Sequence, residues 1–173
     1  MFLLDVIKSN PAYSELILAL QKGKHLPGLA LPRAARLPLL AAIYSDLCCP
    51  ILLIADRADH ALALMDELVF WLPDVPRQYF AEPAPLFYEE ASWGNTIKLQ
   101  RLEVLTKLSA YHLPFNEKPA IPPIIITSPR ALMTRTISRR EYLKSMRVLS
   151  KGGEFHPEFR RGAALRRPAG RKT

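Results

Sequence analysis

The chain has 173 residues, of which 49% are hydrophobic, 9% aromatic and 23% charged, so it can bury a sizeable core and is not disordered as a whole. This length predicts one domain, or one domain with a tail. The formal net charge is +8, but residues 151–173 supply +5 of it, which excludes a strongly basic domain over residues 1–150.

The N-terminal third predicts two helices and a strand. The first helix ends at Lys22-Gly23 and carries apolar residues at helical spacing: Tyr13, Leu16, Ile17 and Leu20. The second is expected over about residues 36–47, with Pro38 in its first turn. Its inward residues would be Leu39, Leu40, Ile43 and Leu47. The continuous apolar run at residues 50–55 is typical of a strand covered on both faces.

Residues 37–55 are apolar apart from Ser45 and Asp46, so they must also be tested as a membrane span. Asp46 at mid-span would cost roughly 2.5–3.5 kcal/mol. A buried helix, a turn and a buried strand explain these residues better. Because the N-terminus also lacks the basic region and cleavage site of a signal peptide, we expect a soluble, cytoplasmic protein with no membrane partner.

Cys48 and Cys49 are adjacent in the turn between that helix and that strand. Neighbouring cysteines rarely bridge each other, and two alone do not make a zinc site. We therefore expect both to pack as small apolar residues in a reducing compartment.

Helices and strands are predicted to alternate along the rest of the chain. Asp56 is expected to cap a helix whose buried stripe is Leu62, Met65, Leu68 or Val69, and Leu72. A short strand at residues 77–81 and a Pro-rich loop precede a long helix at residues 95–111, whose inward side would hold Leu99, Leu102, Leu105 and Leu108. Residues 124–126 predict a buried strand, and Ser128-Pro129 begins another helix. This order predicts an α/β fold, with a mainly parallel sheet between two layers of helices.

The segment before the second helix lies where a P-loop protein would hold phosphate. Such a loop needs Gly-x-x-x-x-Gly-Lys-Ser/Thr, because backbone N–H groups surround the phosphate, lysine meets its charge and the hydroxyl holds Mg²⁺. Residues 28–43 contain one glycine, no lysine and no serine or threonine. We therefore predict a three-layer, P-loop-like domain with a degenerate nucleotide loop around Leu31, Arg33 and Arg36. Such a domain binds no cofactor, which favours an adaptor over an enzyme.

Other polar and aromatic residues give weaker signals. The four histidines have no metal-ligand spacing, so no metal site is expected at His25, His60, His112 or His156. Glu89 and Glu90 are expected to face water or cap a turn. Aromatic rings suit base stacking, but covering a sheet edge is the favoured function for Tyr79, Phe80, Phe87, Tyr88 and Trp93. A basic cluster would contact phosphate or an acidic partner, or form a solvated helix face: Arg130, Arg135, Arg139 and Arg140.

Six segments resemble a known family, in that family's order and spacing, over about residues 10–150. They are residues 51–68, 71–74, 79–83, 86–89, 98–105 and 124–132. The most specific parts are the loop at residues 83–90, the Gln-Arg-Leu helix that follows, and the Thr-Ser-Pro-Arg-Ala-Leu turn at residues 127–132. The segments resemble the N-terminal UvrB-like domain of the bacterial transcription-repair coupling factor. In that family the domain keeps a P-loop fold whose ATP loop has decayed.

The resemblance implies a scaffold without chemistry of its own. In the family, the UvrB-like module recruits the UvrA damage sensor, mostly through a second domain inserted after the Ala-Leu helix. Residues 138–150 resemble the start of that inserted domain, so residues 1–150 would hold the degenerate first domain. UvrA is the implied partner. Contacts with RNA polymerase and double-stranded DNA, and the ATP-dependent motor, belong to family domains that this sequence does not contain.

Residues 151–173 depart from the family pattern, because apolar periodicity ends and Arg, Gly, Ala and Pro dominate. We consider a disordered basic tail and a shifted reading frame in a GC-rich gene, and we favour the second. Two other functions remain open. A small basic nucleic-acid-binding protein acting through the tail would bind DNA in a salt-sensitive manner. An active P-loop enzyme would bind nucleotide.

Overall fold

The computed structural model describes residues 2–83, 93–111 and 118–145. A first compact unit ends at Thr134, and a second begins at Arg135. The first unit contains α1 (Phe2–Lys8), α2 (Pro11–Gln21), α3 (Arg33–Leu47), β1 (Ile51–Ile54), α4 (Ala58–Trp71), β2 (Arg77–Phe80), α5 (Asn95–Ser109), β3 (Ile124–Thr127) and α6 (Pro129–Met133). The second unit contains α7 (Arg139–Ser145). Every helix within the described ranges is too short or too polar to span a bilayer.

Three short strands form a parallel sheet in the order β1-β3-β2. Ile124 of β3 lies opposite Ile51 of β1 and Arg77 of β2. β3 is therefore the central strand, and all four of its residues are buried. The prediction of a buried strand here is confirmed, because three consecutive isoleucines leave no polar face for water.

Helices cover both faces of this sheet. On one face, Ile124 and Ile126 join the larger core, whose other buried members are Leu4, Tyr13, Leu37, Ala41, Ala42, Tyr44, Ala55, Ala61, Leu68 and Leu72. On the other face, Ile125 and Phe80 pack with Val104 of α5 and Ala131 of α6. The α/β class and the parallel sheet are thus confirmed for the described residues.

β1 lies at the edge of the described sheet, which corrects the prediction that both of its faces are covered. Ile51 and Leu53 pack against the larger core, but Leu52 and Ile54 are 52% and 51% exposed. Ile51 and Ala55 donate backbone N–H groups to the β3 side, so by alternation the N–H groups of Leu52 and Ile54 lie on the outer edge. A continuous apolar run occurs in both central and edge strands, so the sequence did not distinguish the two.

α3 begins at Arg33, three residues before the predicted start, and Pro38 therefore lies in its second turn. Pro38 has no N–H for the helix ladder, yet it is buried beside Leu37, so apolar packing compensates for the missing bond. The most buried positions also include Ala41, Ala42 and Tyr44. The four residues predicted to face inward (Leu39, Leu40, Ile43 and Leu47) are only half-buried.

The expectation that both cysteines pack as apolar residues is wrong for Cys48, which is exposed. Cys49 is half-buried. Cys48 follows the last residue of α3 and adopts a left-handed backbone conformation with φ 45° and ψ 46°. A left-handed residue ends the helix by turning the chain away from its axis, and this turn carries the side chain into solvent.

Three positions of the stripe predicted for α4 are confirmed, because Leu68 and Leu72 are buried and Met65 packs against the larger core. Leu62 and Val69 are instead 46% and 44% exposed, whereas Ala61 is fully buried. The helix also begins one residue later than expected, since its N-cap is Arg57 and no side chain forms the cap hydrogen bond. Alanine and leucine occur on both the buried and the exposed faces of helices. The sequence therefore did not predict that Ala61, rather than Leu62, would be buried.

The buried face of α5 also differs from its leucine stripe. Leu99 and Leu102 are exposed, whereas Leu105 and Leu108 pack partly against the second core. The most buried residues of this helix include Arg101 rather than a leucine. The buried face of α5 is therefore the one that carries Arg101. The backbone contacts of Arg101 cannot be predicted from the spacing of apolar residues.

Asp46 joins the three N-terminal helices. Its carboxylate accepts hydrogen bonds from Lys8 Nζ of α1 and from Tyr13 Oη of α2, the latter at 2.7 Å. The bond from Lys8, followed by that from Tyr13, holds the pKa of Asp46 below its usual value. Burial and the Asp46 carboxylate raise the pKa of Tyr13. This contact fixes α1, a helix that the sequence pattern did not predict.

Asp46→Asn is expected to make the stability of the fold less sensitive to acid. Because the folded-state pKa of Asp46 lies below its unfolded value of about 3.9, its contribution is present above that value and is lost as pH falls through the folded-state pKa. The wild-type Tm should therefore fall more steeply than the Tm of the variant below about pH 5. Thermal unfolding followed by circular dichroism at several pH values measures both slopes. Asp66→Asn, at an exposed carboxylate of α4, is the control, and parallel profiles for wild type and Asp46→Asn would contradict the assignment.

Candidate functional site

The predicted degenerate loop lies within the described residues. Residues 22–32 contain no strand, whereas a phosphate loop connects a strand directly to the helix after it. Arg33 and Arg36 are exposed at the start of α3, and Arg36 Nε donates to the backbone oxygen of half-buried Leu31 at 3.5 Å. The N-cap of α3 is Pro32, which forms no side-chain cap. This segment thus presents two cations but no loop of backbone N–H groups around an anion.

Arg33 and Arg36 line a cavity of about 600 Å³ between α3, β1 and α4. The same cavity is also lined by Asp56, His60 and Glu67. Because carboxylates and guanidinium groups share its wall, the cavity lacks the uniformly positive surface that attracts polyphosphate.

A larger crevice lies where the carboxyl ends of β1 and β3 meet. The chain leaves β1 for α4 on one face of the sheet, and leaves β3 for α6 on the other face. Diverging connections from adjacent parallel strands leave a crevice in which α/β proteins commonly bind ligands. Here it has a volume of about 840 Å³ and is lined by Asp56, Arg57, Ala58, Asp59, Glu82, Ser128, Pro129, Arg130, Met133 and Thr134.

Glu82 organises one wall of this crevice. Its carboxylate accepts from Ser128 Oγ at 2.6 Å and from Arg130 Nη1 at 2.7 Å. Arg130 Nη2 also donates to the backbone oxygen of Pro83 at 3.3 Å. Ser128 in turn caps α6, because its Oγ accepts from Ala131 N at 3.2 Å, which confirms the predicted helix start. The end of β2 is therefore bound to the beginning of α6 through side chains.

The opposite wall consists of the exposed first turn of α4. Asp56 Oδ1 lies 2.6 Å from His60 Nδ1, and this contact lowers the pKa of Asp56. Arg57 Nε donates to Asp59 Oδ1 at 2.9 Å, and the Arg57 guanidinium lowers the pKa of Asp59 to about 2. Both carboxylates are therefore ionised at neutral pH, and each already has a cation or imidazole beside it.

The described residues of the crevice bring charges together but include no nucleophile paired with a base that faces the open space. Ser128 Oγ contacts a carboxylate, but the side chain is only 1% exposed and is occupied as a helix cap. Within residues 2–83, 93–111 and 118–145, no group of three His, Cys, Asp or Glu side chains is placed to hold a metal.

The four arginines of the predicted basic cluster fall in two compact units. Arg130 belongs to the first unit and contacts Glu82. The other three belong to the second unit and are exposed: Arg135, Arg139 and Arg140. Arg130 therefore has a structural contact that its sequence neighbourhood did not reveal.

Arg101 is a buried cation that sequence reasoning missed. It is 3% exposed, and its guanidinium donates to the backbone oxygens of Ala81 at 2.8 Å, Ala131 at 3.2 Å and Thr134 at 3.5 Å. Burial lowers the pKa of Arg101, although arginine remains protonated in proteins. It has no ion pair with a carboxylate among the described residues. The carbonyl oxygens that hold its guanidinium therefore belong to the residue after β2, to α6 and to the residue after α6.

Aromatic rings complete the surroundings of Arg101. Its guanidinium carbon lies 3.9 Å from the centroid of the Phe80 ring and 5.0 Å from that of the Trp93 ring. Two of the five predicted loop aromatics therefore stack on a cation inside the fold. Phe87, Tyr88, Glu89, Glu90, His112, His156 and residues 151–173 lie outside the described residues.

Comparisons with protein-family models, with curated proteins and with solved structures find no match to this chain. The resemblance to the UvrB-like domain is therefore a proposal.

Proposed function

We propose that this chain is a non-catalytic scaffold domain, similar to the N-terminal UvrB-like domain of a transcription-repair coupling factor. It acts in the cytoplasm and contributes to the recruitment of UvrA to stalled RNA polymerase. The observation that carries the proposal is a parallel α/β unit whose helix α3 follows a loop without Gly-Lys-Ser/Thr. The six resembling segments support the choice of family.

The proposal gives the first unit a positioning function. In the family, most of the UvrA contact belongs to an inserted domain, which would begin here near residues 138–150. Arg101 and the Glu82–Ser128–Arg130 network both bind the backbone or side chains around α6, immediately before that point. In the second unit, Ser138 Oγ accepts from Glu141 N at 3.3 Å, and Ser138 N donates to the Glu141 carboxylate at 3.3 Å, so the two residues form a capping box at the start of α7.

The degenerate P-loop is tested with nucleotide. Fluorescent ATP with Mg²⁺ is titrated with the full chain, and its anisotropy is expected not to change up to millimolar protein or nucleotide. A P-loop ATPase of similar size is the positive control. Saturable, Mg²⁺-dependent binding would contradict a non-catalytic loop and favour the active P-loop enzyme.

Recruitment is tested with immobilised UvrA and biolayer interferometry. The full chain is compared with a version that continues into an intact inserted domain, recovered by sequencing the gene from the codon of Ser150 in all three frames. Weak binding by the chain and strong binding by the continued version are expected. No binding by either would overturn the scaffold function. Salt-sensitive DNA binding that disappears when residues 151–173 are deleted would instead favour the basic nucleic-acid-binding protein.

A further inference from the structure

The turn between α3 and β1 carries two neighbouring free thiols. Cys48 is exposed and Cys49 is half-buried, and neither forms a disulfide. Cys48 N donates to Tyr44 O at 2.9 Å, and Cys48 Sγ lies 3.5 Å from the backbone oxygen of Ser45. The thiol pair therefore sits on a backbone turn fixed by the end of α3.

Cys48 and Cys49 are consecutive residues of a turn rather than of an extended strand, in which neighbouring side chains point to opposite faces. Cys48 has φ 45° and ψ 46°, which is the left-handed helical region. Because the Cα atoms of neighbouring residues are only about 3.8 Å apart, rotation of the two side chains about their Cα–Cβ bonds can bring both sulfurs to one ligand.

The surroundings limit which ligand this pair would hold. No third His, Cys, Asp or Glu completes a metal site around them within the described residues. Cys49 lies near the buried hydroxyl of Tyr111, which has no hydrogen-bond partner among the described residues and whose pKa is raised by burial and by Cys49. A structural zinc ion requires four ligands, so these two thiols supply only half of the set that zinc needs. A soft atom that needs only two protein sulfurs is better matched.

We propose that Cys48 and Cys49 form a chelating site for trivalent arsenicals. In the reaction, a hydrated organoarsenic oxide, R–As(OH)₂, exchanges its two As–O bonds for two As–S bonds to the thiols. The two thiol protons leave with the two hydroxide groups as two molecules of water, and no atom is oxidised or reduced. The third bond of arsenic stays with its organic group, so two adjacent thiols satisfy the protein's share of its coordination.

The experiment uses phenylarsine oxide and the reduced full-length chain. Intact mass spectrometry is expected to show one adduct per chain, with the loss of both free thiols in a thiol titration. Excess 2-mercaptoethanol should leave the adduct in place, whereas the dithiol 2,3-dimercaptopropanol should remove it. Adducts that a monothiol removes equally well would overturn chelation.

Single-thiol variants test whether both sulfurs are needed. Cys48→Ser and Cys49→Ser are each expected to weaken retention of phenylarsine oxide at least tenfold, while Ser45→Ala, in the last turn of α3, leaves it unchanged. Circular dichroism establishes that each variant is folded. Retention at the wild-type level in either cysteine variant would overturn the site, and so would the absence of an adduct on the wild type.

Discussion

Replacing Arg101 by methionine is expected to lower the free energy of unfolding by about 2–4 kcal/mol. Methionine keeps much of the side-chain volume but donates no hydrogen bond to the three backbone oxygens that Arg101 now contacts. Those oxygens would stay buried without a donor, and the stacking on Phe80 and Trp93 would lose its cation.

Urea unfolding followed by circular dichroism measures the loss in free energy. Arg101→Lys is expected to fall between wild type and Arg101→Met, because lysine keeps the charge but lacks the planar fork that meets several acceptors. Lys98→Ala, at an exposed cation of the same helix, is the matched control and should change stability by less than about 0.5 kcal/mol. A loss of less than about 1 kcal/mol for Arg101→Met would show that the carbonyl contacts are not stabilising.

The chain is expected to associate through the exposed edge of β1, and the double change Leu52→Lys/Ile54→Lys should suppress this association. Leu52 and Ile54 combine outward N–H groups with exposed apolar side chains, and β1 carries no charge or proline that would oppose pairing with another chain. Sedimentation velocity over a range of concentrations should show self-association for wild type and a single monomer for the edge variant.

A matched pair of substitutions separates edge pairing from a general effect of charge. Leu62→Lys/Val69→Lys adds the same charge at side chains of α4 with similar exposure, but on a helix without free strand groups. This control is expected to associate nearly as wild type does. A wild-type chain that stays monomeric at all concentrations, or a control that suppresses association equally, would contradict an edge mechanism.

The ends of helices that are set by neighbouring residues were the most predictable part of the fold. Ser128 and Pro129 specify the start of α6 within one turn, because the hydroxyl accepts from a backbone N–H three residues later. The end of α2 near Gly23 was similarly predictable. Gly23 has a φ of 66°, a conformation that glycine adopts more easily than other residues. Such signals need no knowledge of distant residues, and the structure confirms them.

Features that depend on contacts between residues far apart in the sequence were less predictable. The apolar run of β1 resembles that of β3, and only the sheet order reveals that one is an edge and the other is central. Arg101 has leucines on both sides in the sequence that periodicity places inside the fold, but the carbonyl oxygens that bind it come from the residue after β2 and from α6. The crevice could not be predicted for the same reason. Glu82 contacts Ser128 and Arg130 only after β2 and β3 have paired, and the sequence does not show which strands pair.

Because β3 is the central strand and comes last of the three in the chain, the sheet cannot form until β3 has been synthesised. β1 and β2 have no contact as ladder partners, so each must wait for residues 124–127 before its backbone groups can pair. During synthesis at about 5–20 residues per second, β1 is completed roughly 4–15 s before β3. A nascent chain would hold the apolar strand β1 unpaired for that interval. Translation speed and chaperone capture, rather than equilibrium stability alone, would then govern how much of the protein reaches its folded state.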